Sequence, residues 1–214
     1  MLKKSFQKII QIIFLALFIF IIANGKVQLW VRVFLSGIIA SLLLGRIYCG
    51  WICPINTAIK GITWIKRKLH IKNIKIPRFI KKPWIRLIFL GLFIGIFIFT
   101  TRTDRKLPVL PALFALGTLI TLFFPEELWH HYLCPYGTIL SFPASKSLYQ
   151  MKIDPEQCIN CGICKNVCLG EAIEVKNSQH KINKNDCLIC MECSKNCSQN
   201  AINYERSSKI SSTS

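Results

Sequence analysis

Cys158-Ile-Asn-Cys161-Gly-Ile-Cys164-Lys-Asn-Val-Cys168 and Cys187-Leu-Ile-Cys190-Met-Glu-Cys193-Ser-Lys-Asn-Cys197 share one spacing, C-x2-C-x2-C-x3-C, at an offset of 29 residues. Ala172-Ile173 recurs as Ala201-Ile202 at the same offset, so the stretch is an internal duplication. Three cysteines at this spacing reach three iron corners of a [4Fe–4S] cube from one tight loop. The fourth starts a short helix that leads away, and it ligates the other cube. The spacing predicts two clusters, one on Cys158, Cys161, Cys164 and Cys197, the other on Cys187, Cys190, Cys193 and Cys168. Structural zinc takes C-x2-C pairs across a longer spacer and fits two complete runs of four poorly. Gly162 leaves room for the backbone to wrap sulfide. Ile159, Ile163, Val167, Leu188 and Ile189 are expected to keep water from the cubes.

Outward from this block the composition changes near Ser145–Met151. Residues 1–150 hold 20 Lys and Arg against three acidic residues, and residues 151–214 hold eight against seven. The 214-residue chain carries a formal charge of +18, yet it is 52% hydrophobic with a mean hydropathy of +0.40. A disordered basic tail would be polar, and a small disulfide-stapled domain would lack long apolar runs. Eleven cysteines also leave one thiol over from any closed disulfide set.

Four apolar runs precede the duplication: Ile9–Ala23, Val27–Gly45, Trp84–Thr100 and Leu107–Phe124. Each approaches the roughly 20 residues that a membrane-crossing helix needs. The first, behind Lys3, Lys4 and Lys8, resembles the core of a signal peptide. No small-x-small site follows it cleanly and three more runs come after, so it reads as a retained anchor. Arg32 lies near one end of its run, where it can snorkel, and Pro108 and Pro111 sit at a helix start. Residues 46–86 carry 11 Lys and Arg and no acid. The positive-inside rule then puts the N-terminus, residues 46–86 and the cysteine-rich end in the cytoplasm. Trp30, Trp51, Trp64, Trp84 and Trp129 all fall at run ends, as in an interfacial aromatic belt. Ile55, Ala58, Ile59, Ile62, Ile65 and Leu69 recur at helical spacing among Lys60, Lys66, Arg67 and Lys68. This predicts an amphipathic helix on membrane lipid that stops before Pro77. Topology and lipid account for the positive charge, so no nucleic acid is expected. No nucleotide loop and no covalent haem motif is visible.

The other three cysteines form a second repeat. Cys49-Gly-Trp-Ile-Cys53-Pro54-Ile-Asn-Thr57 returns as His130-His-Tyr-Leu-Cys134-Pro135-Tyr-Gly-Thr138, 81 residues on. The membrane half thus reads as two copies of apolar run, apolar run and cytoplasmic Cys-Pro element. In an α-helix Cys49 and Cys53 would stand about 5–6 Å apart at Cβ, too far for a relaxed disulfide. Three uses stay open for Cys49, Cys53, Cys134 and His130: a structural one, a shared metal site, and redox or partner contact.

Residues 150–205 resemble bacterial two-[4Fe–4S] ferredoxins, which implies short β-hairpins and two short helices. Strands are expected near Leu148–Lys152, Ile173–Lys176, Lys181–Asn183 and Ile202–Tyr204. The family's usual Pro after the fourth cysteine is replaced by Leu169 and Ser198. The whole chain resembles the membrane polyferredoxins of the NapH type, the membrane component of a quinol dehydrogenase, except that His130 interrupts the second C-x3-C-P. That likeness implies an all-α membrane domain of four transmembrane helices over residues 1–145, a small α+β two-[4Fe–4S] domain over 146–206, and a polar tail over 207–214. It also implies a bacterial or archaeal cytoplasmic membrane, quinone as a further cofactor or substrate, and a redox partner protein. Quinol oxidation needs a proton acceptor. Glu126, Glu127 and His131 lie where one is needed, or are simply hydrated residues at the interface. The expected role is an electron carrier or quinol dehydrogenase subunit rather than a stand-alone enzyme. The alternative is an iron–sulfur accessory factor for the maturation of another enzyme. His70 and His180 receive no assignment.

Overall fold

The computed structural model describes residues 2–77, 79–103, 109–176 and 179–207. Asp104, Arg105, Lys106, Leu107 and Pro108, at the expected start of the fourth run, and the polar tail beyond Ser207 lie outside them.

The first half is helical. It contains α1 (Leu2–Ala23), α2 (Gln28–Leu44), a π-helical turn (Tyr48–Ile52) and α3 (Pro54–Lys68). The same series then repeats as α4 (Pro83–Arg102), α5 (Val109–Phe123), a second π-helical turn (Leu128–Leu133) and α6 (Pro135–Ala144). The halves interlock by exchange: α3 packs on α5, and α6 packs on α2. Small residues make the seats. Gly37 on α2 admits the Tyr48 ring and Gly117 on α5 admits the Trp129 indole, each where a Cβ would come within 2.8 Å of the ring. Tyr48 and Trp129 occupy the same place in the 81-residue repeat.

One described helix, Ser5–Ala23, is long and apolar enough to cross a membrane, with 19 residues. Gln28–Leu44, Trp84–Thr100 and Val109–Phe123 are apolar but reach 17 residues at most. The amphipathic helix forms, but its apolar face divides. Ile55 and Ile59 are buried in the protein core, while Ile65 and Leu69 are exposed. Lys66 is buried too, and its Nζ donates to the carbonyls of Thr121 (2.8 Å) and Phe124 (3.3 Å) at the end of α5. The aromatic belt also needs correcting. Trp64 and Trp84 are exposed, but Trp30 and Trp129 are core residues. Bulk and a seat in the opposite helix override the preference of indole for an interface.

The second half is a small α+β unit with β1 (Tyr149–Ile153), α7 (Ile163–Asn166), β2 (Ile173–Lys176), β3 (Gln179–Ile182), α8 (Glu192–Lys195) and β4 (Ile202–Arg206). Strands β2 and β3 form an antiparallel hairpin with Ile173 opposite Ile182. Strands β1 and β4 pair antiparallel from opposite ends of the unit, Met151 opposite Tyr204, and so are not the second hairpin expected. The 29-residue duplication is written into the backbone. Positive φ recurs at Asn160 and Ile189 (54° and 51°), at Gly162 and Met191 (75° and 60°), and at Glu171 and Asn200 (47° and 51°). Alternating hands of this kind turn successive N–H groups inward, the geometry that cradles anions and sulfide.

Candidate iron–sulfur site

Two cavities lie in the α+β unit, one against each loop. The first is lined by Cys158, Cys161, Cys164 and Cys197, backed by Ile153 and Ile202. The second is lined by Cys168, Cys187, Cys190 and Cys193, backed by Met151, Ile173 and Ile182. The structure therefore brings together the eight thiols in the two sets read from the spacing. All eight are free. Among the described residues no three His, Cys, Asp or Glu side chains converge as ligands of a single metal ion. A zinc would need its sulfurs about 2.3 Å from one point. Thiols spread around a cavity suit a cube, whose iron corners are separate, so the donor set fits [4Fe–4S] chemistry. The Cys168 Sγ already accepts the Ala172 N–H at 3.2 Å.

The two loops differ in their surroundings. Leu188 and Ile189 are buried as expected, but Ile159 and Ile163, which line the first cavity, are exposed. The second loop owes its cover to the helical body. Gln7 on α1 donates to the Cys190 carbonyl at 3.3 Å, and Trp51 Nε1 donates to the Ile189 carbonyl at 3.1 Å. Arg46 Nη1 donates to the Asn185 carbonyl at 2.9 Å. The ion pairs Lys60–Glu192 (3.1 Å) and Arg86–Asp186 (2.8 Å) flank the contact. His131 Nδ1 donates to the Gly170 carbonyl at 2.8 Å, and Tyr132 donates to Glu171 at 2.8 Å. His131, expected as a proton relay, is a tether at that nitrogen.

The Cys-Pro elements have a local explanation. Each first cysteine or its replacement lies in a π-turn, so the α-helical distance expected between Cys49 and Cys53 does not apply. The Cys53 N–H donates to the Tyr48 carbonyl and the Cys134 N–H to the Trp129 carbonyl, both at 2.9 Å and five residues back. Cys53 and Cys134 are then the extended N-caps of α3 and α6, with Pro54 and Pro135 at the first helical position. Thr57 and Thr138 return a hydroxyl bond to the capping carbonyl, each at 3.2 Å. The Cys134 Sγ accepts the Gly137 N–H at 3.4 Å. The π-turn also frees the Gly50 carbonyl, which Gln7 (3.1 Å) and Gln11 (2.8 Å) both satisfy. Cys49, Cys53 and Cys134 lie within electrostatic reach of one another, and among the described residues no three His, Cys, Asp or Glu side chains are arranged around a single ion. Burial pushes the thiols of Cys49 and Cys53 up, and that of Cys134 up to about 11.

Polar groups gather around these turns. Among the described residues, buried side-chain nitrogen or oxygen atoms without a partner occur on Arg46, Asn56, Glu126, Trp129 and His130. Burial, with Glu127 beside it, pushes Glu126 up to about 7. Burial, with Lys60 and Arg46 nearby, holds His130 down at about 3, so its ring is neutral. Sequence reasoning missed Arg46, Asn56 and Trp51 as site residues, and Gln7 and Gln11. The available signal was a glutamine pair at i and i+4 inside an apolar helix. It also passed over His180, which lines the first cavity with Nδ1 3.1 Å from Asn160 Oδ1.

A family model described as a 4Fe-4S binding domain matches the chain twice, over residues 27–72 and 107–153. Another of the same description matches residues 151–174, and Cys187–Cys197 lies outside these matches. The chain is 31% identical over 140 residues to the ferredoxin-type protein NapH of Haemophilus influenzae, covering 60% of this chain and 49% of that one. It is 27% identical over 154 residues to the putative electron transport protein YccM of Escherichia coli (61% and 43%). It is 29% identical over 147 residues to the methylamine utilization ferredoxin-type protein MauN of Methylorubrum extorquens (58% and 47%). The chain spans about half the length of these curated relatives. No solved structure matches it.

Proposed function

We propose, from the premise that this chain is a NapH-type polyferredoxin, that it is a membrane-held iron–sulfur carrier exchanging electrons between the quinone pool and a partner redox protein. The observation that carries the reading is the meeting of two four-thiol cavities with a helical body that clamps one of their loops. Cys158, Cys161, Cys164 and Cys197 bind one [4Fe–4S] centre, and Cys168, Cys187, Cys190 and Cys193 the other. Bound cubes supply one-electron chemistry. The chain's own residues position and shield them. Gln7, Arg46 and Trp51 fix the second loop by its carbonyls, and Leu188 and Ile189 exclude water. Glu126, buried and poised near neutrality, is suited to accept a proton at the helical body's edge, with Glu127 beside it.

Four membrane-crossing helices are part of the proposal. Phe20 on α1, Ile39 on α2, Ile88 on α4 and Leu119 on α5 are each more than half exposed, with other large apolar residues around them. Apolar surface of that extent on four neighbouring helices favours lipid over water. The basic residues of 46–86 favour a cytoplasmic location for that loop and for the α+β unit.

Purified protein should carry about eight irons per chain, in two cubes. Short-chain ubiquinol or menaquinol should bleach its visible absorbance and give the spectrum of interacting reduced clusters. Iron-loaded protein that neither quinol reduces would count against the quinone reading. Fewer than two clusters would count against the site assignment.

A further inference from the structure

Among the described residues Arg46 is the only arginine buried in the core, 2% exposed. Among the described residues no carboxylate pairs with it, and Asp186, next to Asn185, pairs with Arg86. Its Nη1 donates to the Asn185 carbonyl, two residues before Cys187, while Nε and Nη2 meet no oxygen or nitrogen acceptor and have the Cys49 thiol in reach. Cys49, Cys134, His130 and Cys187 lie within its electrostatic reach. Gly137 leaves it room, because a Cβ there would stand 2.5 Å from Nη2. The fold thus holds a permanent cation at the wall between the Cys-Pro elements and the second cavity.

A buried charge without a partner is strongly unfavourable and calls for an anion. None of the side chains that the Cys-Pro elements bring to Arg46 is a carboxylate. The donor set of the second cavity supplies what is missing, since four thiolates outweigh the positive core of a [4Fe–4S] cube. The first cavity has no equivalent. Neither cavity is lined by Lys or Arg, but Arg46 holds the Asn185 carbonyl beside the second, whereas the counterpart of Asn185 in the 29-residue repeat is Glu156, an exposed acid. Burial alone would disfavour the extra negative charge of a reduced centre. A fixed cation in the same low dielectric opposes that effect.

We infer that Arg46 is the electrostatic partner of the centre on Cys168, Cys187, Cys190 and Cys193, raising its reduction potential and leaving that of the other centre untouched. Arg46 is a positioning residue here and not a ligand. The inference rests on the eight-cysteine assignment above, and its test separates the two. Full-length protein in detergent is titrated potentiometrically and read by low-temperature EPR. Cys190→Ser identifies the signal of the second centre by its loss. Wild-type protein without two centres defeats the assignment itself. With two centres present, Arg46→Gln should shift the second midpoint downward, with the first midpoint and the iron content unchanged. Both midpoints unmoved, or both moved together, overturns the inference. Should Arg46→Gln lose the second centre altogether, Arg46→Lys decides. A loaded Arg46→Lys protein at the wild-type midpoint supports the charge role. Any other result assigns Arg46 to loop anchoring alone and overturns it.

Discussion

Gly50 lies so close to Leu188 that a Cβ on it would stand 2.5 Å from the Leu188 carbonyl oxygen. The π-turn of the first Cys-Pro element and the second cluster loop therefore meet backbone to backbone, 138 residues apart in sequence. Neither backbone can yield as a side-chain tip would. Gly50→Ala should push the loop off and destabilise the protein by about 1–3 kcal/mol. Gly61, on the exposed side of α3, is the control, because a methyl there meets nothing within 4 Å. Gly61→Ala should stabilise by about 1 kcal/mol through helix propensity alone. Thermal unfolding of the two variants in detergent, with opposite shifts expected, checks both.

The Cys-Pro cysteines and the cavity cysteines should respond differently to mutation. Cys134 accepts the Gly137 N–H as a helix cap. Cys134→Ser keeps an acceptor and should leave both iron content and melting temperature near wild type. Cys134→Ala should keep the iron but lose about 1 kcal/mol of stability. Cys168→Ala should lose about half of the iron, since one cube loses a ligand. Iron and acid-labile sulfide per chain, measured with the melting temperature, distinguish the two roles. Iron loss in Cys134→Ser would refute the capping role.

The eight cavity cysteines were legible because ligand spacing is a local property, fixed by the reach of one loop. The 81-residue repeat was legible for the same reason, as residue types at constant offset. What those types do was not legible. The π-turns convert an apparent i, i+4 cysteine pair into one turn residue and one cap, and no local pattern announces a π-turn. Trp30 and Trp129 looked interfacial because their burial depends on Gly117 and on helices that exchange across the repeat. Arg46 looked like one more topogenic charge. Its role appears only when Asn185, 139 residues away, is placed beside it. Strand β1 pairs with β4 rather than in a hairpin because closure of the duplicated unit joins its ends, a long-range fact.

Lys66 offers a test of helix-end chemistry inside the protein. Its Nζ satisfies the Thr121 and Phe124 carbonyls, which α5 leaves unpaired at its C-terminus. Lys66→Met keeps the length and apolar stem but removes the donor. Buried carbonyls without a partner should cost about 1–3 kcal/mol. Lys68, one turn end away and exposed, should tolerate the same change within about 0.5 kcal/mol. Chemical denaturation of the two variants side by side measures the difference.

Glu126 should make stability depend on pH in a stated direction. Burial, the larger cause, and Glu127 push its carboxyl from 4.5 to about 7. The folded state thus prefers the protonated acid more than the unfolded state does. Below about pH 4.5 both states carry the proton and the folded state suffers no penalty. As pH rises through about 7 the buried carboxyl must ionise, and a stabilisation of about 3 kcal/mol is lost. Wild-type protein should therefore melt lower at pH 8 than at pH 5.5, after allowance for the groups that titrate elsewhere. Glu126→Gln holds the neutral form at every pH and should flatten that difference. At pH 8 it should be the more stable of the two proteins. If Glu126 also accepts the quinol proton, the same variant should slow quinol-driven bleaching at pH 7 while leaving dithionite reduction unchanged. A Glu126→Gln protein that keeps the full wild-type pH slope would place the titrating group elsewhere.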